Sequence, residues 1–349
     1  MNKHTIFIAG AAGYVGAMLC DQFSKREDVD LIIGLDKEIK PKLLEGNEKV
    51  FWITGNTSDG LWQEKVSEKN PDVVINVAWQ IREMYGKKEK QWKWNVEGSD
   101  AVFDFCFTNS SVKKLIYFST VSSYGAFSDN SLEHYFKEEE PFREMEYLYG
   151  VEKKVVEEHL KEKFNSAKSK GQNVPQVFVV RPAAITGPRG RAMEGRFGLQ
   201  SALSGNLKGS FVYKIVTLLT AVVPATPKWC RQFIHEDDVA DIVTLFTFND
   251  LDGEYEVFNI CPPGQSVLSH DMASAVGKRV VIISPLLVRV AFFILWHLSR
   301  GKIPTSRGGW KFYSYPVVVD GTRLSNRYGF KYSSEPLKAF VENKGRYAK

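Results

Sequence analysis

Cysteine and histidine are scarce in this chain of 349 residues, with four of the first, at 20, 106, 230 and 261, and six of the second. No cysteines form a C-x-x-C pair and none has a histidine partner at metal-ligand spacing, so neither a disulfide framework nor a metal site is expected. Charge of one sign is not in large excess: 46 Lys and Arg against 41 Asp and Glu leave +5. That is too weak and too spread to predict a nucleic-acid partner. The opening apolar run, 5–9, is too short for a secretory leader, which together with the cysteine usage points to a cytoplasmic protein. Fixed-period repeats are missing, and the charge runs 87–93 and 138–140 read as solvated surface.

What is present is an alternation. Short, unbroken apolar runs at 5–9, 31–35, 50–54, 73–77, 115–119 and 177–180 lack polar alternation, as parallel strands covered on both faces require. Between them, 15–25, 61–69, 95–109 and 148–163 have helical spacing. The fold class expected is α/β: a doubly wound parallel (Rossmann) sheet with a smaller, mixed C-terminal lobe. The division predicted is a dinucleotide-binding domain over 1–182, which also receives elements from about 232–262, and a substrate-binding lobe mainly over 183–349.

Between the first strand and the first helix stands Gly10-Ala11-Ala12-Gly13-Tyr14-Val15-Gly16. Small residues suit a tight turn that brings backbone close to a pyrophosphate at a helix N-terminus, where unpaired N–H groups favour negative charge. Asp36 ends the second strand run twenty residues after Gly16. A carboxylate there can accept bonds from both ribose hydroxyls and would repel a 2′-phosphate, which argues for NAD. Lys37 beside it leaves NADP open.

Tyr149 and Lys153 are four apart in a helical segment and so share a face. A phenol of pKa about 10 needs roughly 4 kcal/mol of preferential phenolate stabilisation to be half ionised near pH 7. A neighbouring ammonium in a partly dehydrated cleft, aided by an oxidised nicotinamide, can supply it. The tyrosine could then trade a proton with a secondary alcohol. The fifth strand run ends in Ser119-Thr120-Val121-Ser122, at the end of the sheet where ligands gather, and a Ser119 or Thr120 hydroxyl could hold the substrate oxygen.

Together these residues resemble the extended short-chain dehydrogenase/reductases, the NAD-dependent epimerase/dehydratase group, over roughly residues 5–262. Gly10, Gly13 and Gly16 match the family's glycine motif, and Asp36 its ribose acid. Asn76-Val77-Ala78 resembles the fourth-strand motif and Asn95 the asparagine on the following helix. Thr120, four before Tyr124-Gly125, matches the catalytic Ser/Thr, and Tyr149 with Lys153 the catalytic pair. Arg181-Pro182 with Gly187-Pro188 resembles the sixth-strand segment, and 233–239 the late helix start.

The resemblance implies Tyr149 as acid/base, Lys153 as ribose ligand that lowers the tyrosine's pKa, and Thr120 as the substrate-orienting hydroxyl. It implies a cofactor site of Gly10, Gly13, Tyr14, Val15, Gly16, Asp36, Asn56, Thr57, Val77, Ala78, Trp79, Asn95, Ser119, Tyr149, Lys153 and Ala184. Substrate would meet Ser122 and Arg231. Three positions depart from the pattern: Asn56 stands where an aspartate often contacts adenine, and Ala184 where sugar-nucleotide members commonly have asparagine. Val121-Ser122 replaces the Asp-Glu of dehydratases, which argues against elimination.

The expected partner is a small molecule. A sugar-nucleotide epimerase is the first reading, supported by Arg231 and opposed by Ala184. A net dehydrogenase or reductase of a hydrophobic, sterol-like or polyprenoid-like alcohol is the alternative, and a non-catalytic cofactor-binding scaffold the third. The apolar segment 286–298 supports the second. Capped by Ser284 and Pro285, its helix would reach about 24 Å by residue 300, short of a roughly 30 Å hydrocarbon core. It reads first as a helix buried in the substrate lobe or a subunit contact, and second as a lip touching a membrane over 285–300. A homodimer is a family expectation.

Overall fold

In the computed structural model, which describes residues 3–172, 174–192, 222–275, 277–342 and 344–346, the apolar runs become one parallel sheet. Its strands are β1 (His4–Ala9), β2 (Val29–Asp36), β3 (Val50–Thr54), β4 (Val73–Asn76), β5 (Lys114–Phe118), β6 (Gln176–Pro182) and β7 (Tyr255–Ile260). The order is β7-β6-β5-β4-β1-β2-β3, with every pair parallel.

Side chains alternate across the sheet and both faces are covered, which is why the strands carry no polar alternation. Ile6 and Ile8 pack with Met18, Leu19 and Phe23 of helix α1 (Tyr14–Ser24) and with residues of a later helix on the same face. Phe7 and Ala9 face the other way, toward Val102, Phe103 and Phe105 of α2 (Gly98–Thr108) and Val156, Leu160 and Phe164 of α3 (Leu148–Ser169). The later helix on the first face is α4 (Glu236–Phe248), which contributes Val239, Ile242, Val243 and Phe246. Strand order reverses at β1, which lies between β4 and β2. A crevice opens at such a point, outside the carboxyl ends of the strands.

Beyond Pro182 the elements are short and mixed. Ala184–Thr186 pairs in parallel with Phe233–His235, Cys230–Arg231 antiparallel with Val267–Leu268, and Val222–Ala225 in parallel with Arg279–Ile282. The late segment returns to the main sheet as β7. All four cysteines are buried and free. No helix among the described residues is long and apolar enough to cross a membrane.

Helix α5 (Pro285–Leu298) begins as its cap residues predict, with Ser284 Oγ accepting from the Leu287 N–H at 3.3 Å. The lobe does not bury it, which corrects the first half of the expectation of a buried helix or a subunit contact. Only Val288 and Trp296 are buried, while Leu286, Leu287, Val290, Phe293, Ile294 and Leu298 lie exposed. The apolar pattern runs all round this helix, and periodicity alone could not say that one side would lack a neighbour.

Candidate active site

The turn after β1 needs its glycines for contact reasons. Gly10 has φ +87°, and a Cβ there would stand 2.6 Å from the Ala78 backbone; one on Gly16 would stand 2.1 Å from the Gly10 carbonyl oxygen. The loop after β4 and the start of α1 therefore press directly on the turn. Gly13 caps α1 with extended backbone and no side-chain bond, leaving the helix N-terminus to face the crevice. Asp36 is fixed at its rim: its carboxylate accepts from the N–H groups of Ala12 at 2.9 Å and Glu38 at 3.0 Å.

The crevice has a volume of about 650 Å³. Gly10, Gly13, Tyr14, Val15, Gly16, Asp36, Val77, Trp79, Ser119, Thr120, Ser122, Tyr149, Lys153, Ala184 and Arg231 all line it. Asn56, Thr57, Ala78 and Asn95 line an adjoining hollow of about 110 Å³ that shares Gly10, Gly13, Asp36, Val77 and Trp79. Residues spread from 10 to 231 are thus brought to one place.

Within the hollow, two side chains are already occupied. The Asn56 Oδ1 accepts from the Ser58 N–H and hydroxyl, both at 3.0 Å. Asn95 works as a strut: its Oδ1 accepts from the Gln80 N–H at 2.7 Å, and its Nδ2 donates to the buried Glu152 carboxylate at 2.6 Å. Lys37 turns its ammonium over the Trp94 ring, 4.5 Å from the centre.

The chain enters α3 around a single carboxylate. Glu144 Oε1 accepts from the N–H groups of Met145, Glu146 and Tyr147 at 3.0, 2.8 and 2.9 Å. Ser123 Oγ donates to the Gly150 carbonyl at 3.0 Å, tying the turn after β5 to the same first helical turn. Tyr149 thereby comes close enough to Thr120 for that hydroxyl to act on the phenol, and both line the crevice. Burial pushes the Tyr149 phenol above the ordinary value, and the Thr120 hydroxyl pulls it down.

Lys153 lines the same crevice one helical turn beyond Tyr149. Its ammonium donates to the Phe118 carbonyl and lies 3.7 Å from the centre of the Trp79 ring. Burial holds it well below the ordinary lysine range, with Glu157 and Glu152 pulling it back up. Both members of the pair are therefore biased toward their neutral forms.

The remaining walls come from segments that the motifs did not reach. Gln80, Ile81 and Arg82 follow Ala78 directly, so nearness to the fourth-strand motif was an available signal. Phe312, Tyr315 and Val317 had none, because they lie more than 150 residues from Tyr149 and only folding brings them to the cavity. Arg231 stands 5.7 Å from the centre of the Tyr313 ring.

Comparison with known proteins agrees with this geometry. A solved structure of the Bordetella bronchiseptica enzyme WbmG with NAD and UDP has 19% identity and TM-score 0.67, covering 97% of this chain and 94% of that one. UDP-glucose 4-epimerase from Thermotoga maritima with UDP-glucose has 19% identity and TM-score 0.65, covering 97% of each. The dTDP-glucose 4,6-dehydratase from Bacillus anthracis with NAD has 15% identity and TM-score 0.65, covering 97% and 95%. A search of curated proteins found no match. At these identities the structures establish the fold. Residues 6–261 match the profile described as the NAD dependent epimerase/dehydratase family, which spans most of the chain: the protein belongs to that NAD-dependent enzyme family.

Proposed function

We propose that this protein catalyses proton and hydride exchange at a secondary alcohol or ketone, with Tyr149 as the acid/base. The observation that carries the reading is that Tyr149, Thr120 and Lys153 share one cavity with the glycine turn and Asp36.

The residues fit NAD. Gly10 and Gly16 let the turn, the loop after β4 and the start of α1 pack backbone to backbone, and the α1 N-terminus so placed lines the crevice where a pyrophosphate would be held. The Asp36 carboxylate, held by two N–H groups, keeps lone pairs for ribose hydroxyls. Ser119 Oγ and Trp79 Nε1 are buried without a hydrogen-bond partner among the described residues, and both residues line the crevice. NAD bound there supplies the hydride acceptor.

In this reading Thr120 Oγ1 orients the substrate hydroxyl, and Tyr149 Oη takes or returns its proton. The raised phenol rests protonated, ready to act as the acid in the reducing direction. The base role requires positive charge near Oη, from Lys153 or the oxidised cofactor.

For substrate, a sugar nucleotide comes first, as for the neighbours crystallised with UDP and UDP-glucose. Arg231 lines the cavity, and no carboxylate among the described residues is paired with it, which suits an anionic diphosphate. A net dehydrogenase of a hydrophobic alcohol is the second reading, favoured by the apolar wall of Ile81, Phe312 and Val317. Residues 1–182 with the returning β7 would form the cofactor domain and the rest the substrate lobe. The buried free cysteines suit a reducing, cytoplasmic setting.

The test is Tyr149→Phe. Turnover should fall about 10²- to 10⁴-fold while NAD binding, read by titration calorimetry, stays intact. Turnover equal to the parent's would remove Tyr149 from the chemistry.

A further inference from the structure

Surface helices ordinarily turn an apolar stripe inward and a polar one outward. Helix α5 breaks that rule on its outer side. Its inner side is pinned by Phe292 against Tyr313, with ring centres 5.1 Å apart, and by Trp296 against Tyr85 at 5.4 Å. The Tyr85 hydroxyl adds a hydrogen bond to His297 Nδ1 at 3.1 Å. The outer side carries Leu286 at 66% exposure, Leu287 at 59%, Phe293 at 66% and Leu298 at 81%. Ile282, at 59%, extends the patch into the strand just before the helix.

Charge decides what would cover it. From residue 272 to 319 the sequence holds seven Lys and Arg and not one Asp or Glu. Lys278, Arg279, Arg289, Arg300, Lys302 and Arg307 are exposed, at both ends of α5, on it and just beyond it. Two acids face this region: Glu83 beside Lys88 and Arg307, and Glu146, which is paired with Lys311 at 2.9 Å and also acts on Arg307 and Arg289. A greasy strip ringed by cations of one sign suits an anionic lipid surface, into which apolar side chains dip while arginine and lysine meet headgroup phosphates. A second copy would set the cations of each face against those of the other.

We propose that α5 docks this protein on anionic membranes as a surface-lying helix. The dock lies next to the crevice. Phe312, which lines the cavity, belongs to the short helix Gly309–Phe312 packed on α5, and Ile81 and Arg82 precede the Tyr85 that holds Trp296. The crevice mouth would then open close to the lipid interface. Binding does not depend on the reaction proposed above and can be read without it.

The experiment is co-sedimentation of the full chain with vesicles of phosphatidylcholine alone or mixed with phosphatidylglycerol. Partitioning should favour the anionic vesicles, by roughly fivefold for each cation engaged, and weaken as salt is raised. The triple change Leu287→Ser, Phe293→Ser, Leu298→Ser should lower it roughly tenfold or more, with the circular dichroism spectrum unchanged. Arg300→Glu with Lys302→Glu should lower anionic binding at least about tenfold and flatten its salt dependence while leaving the apolar face intact. Leu61→Ser, at an 84% exposed leucine outside α5, should change nothing. The proposal is overturned if the parent ignores anionic vesicles, or if the triple variant binds them as well as the parent. It is equally overturned if the parent forms dimers that the triple change disperses and binds no vesicles.

Discussion

The ammonium of Lys153 lies 3.7 Å from the centre of the Trp79 ring and donates to the Phe118 carbonyl, so an indole and a strand end hold the cation beside Tyr149. A desolvated cation over an indole face gains about 0.5 to 2 kcal/mol. Trp79 is therefore expected to position Lys153, and with it the reacting end of the cavity.

Trp79→Leu should lower kcat/KM by roughly twofold to thirtyfold, and Trp79→Phe should retain most of it because a ring face remains. Steady-state kinetics of both variants check this. Equal losses in the two would indicate a packing role for the indole instead.

Lys153 also carries a stability cost with a defined pH dependence. Burial depresses its pKa in the folded state, so between that value and the ordinary lysine value of about 10.4 the unfolded chain binds more protons and stability rises with pH. Lys153→Met removes the cost and should be more stable by about 1 kcal/mol near neutral pH. The advantage should shrink as pH climbs toward the ordinary value. Urea midpoints of both chains across that range test it, and a pH-independent difference would contradict it.

Asp36 is expected to choose the cofactor. Asp36→Ala removes a charged acceptor worth about 1.5 to 3 kcal/mol, so the dissociation constant for NAD should rise roughly tenfold to a hundredfold. Preference over NADP should fall with it. Titration of each dinucleotide into both proteins decides, and an unchanged NAD/NADP ratio would place the ribose elsewhere.

Arg181 and Glu157 form a buried pair behind the site, with the Arg181 Nε 3.1 and 3.2 Å from the two carboxylate oxygens. Arg181 also donates to the Tyr124 hydroxyl at 2.7 Å, at the end of the turn that carries Ser122. Glu157→Leu strands the guanidinium and should cost about 3 to 5 kcal/mol in denaturant unfolding. A loss below 1 kcal/mol would mean that the arginine finds another partner.

Much of the site was legible in the chain because its parts are local. Gly10 to Gly16 form one strand-turn-helix, Asp36 ends the next strand, and Tyr149 and Lys153 share a helix face through their spacing. Asn95 was legible in place but not in duty. It lines the hollow as the motif implies, yet its amide is taken up by Gln80 and Glu152, partners assembled from two other segments.

Sequence by itself determined the sheet, the glycine turn and the tyrosine–lysine spacing, since strand burial and helical period are properties of neighbouring residues. Tertiary structure alone decided where the Lys153 ammonium points, which distant residues wall the cavity, and which side of α5 is left bare. A long, flexible lysine side chain settles on whichever acceptor and ring folding brings within reach. An apolar helix surface is covered only if another part of the chain arrives to cover it.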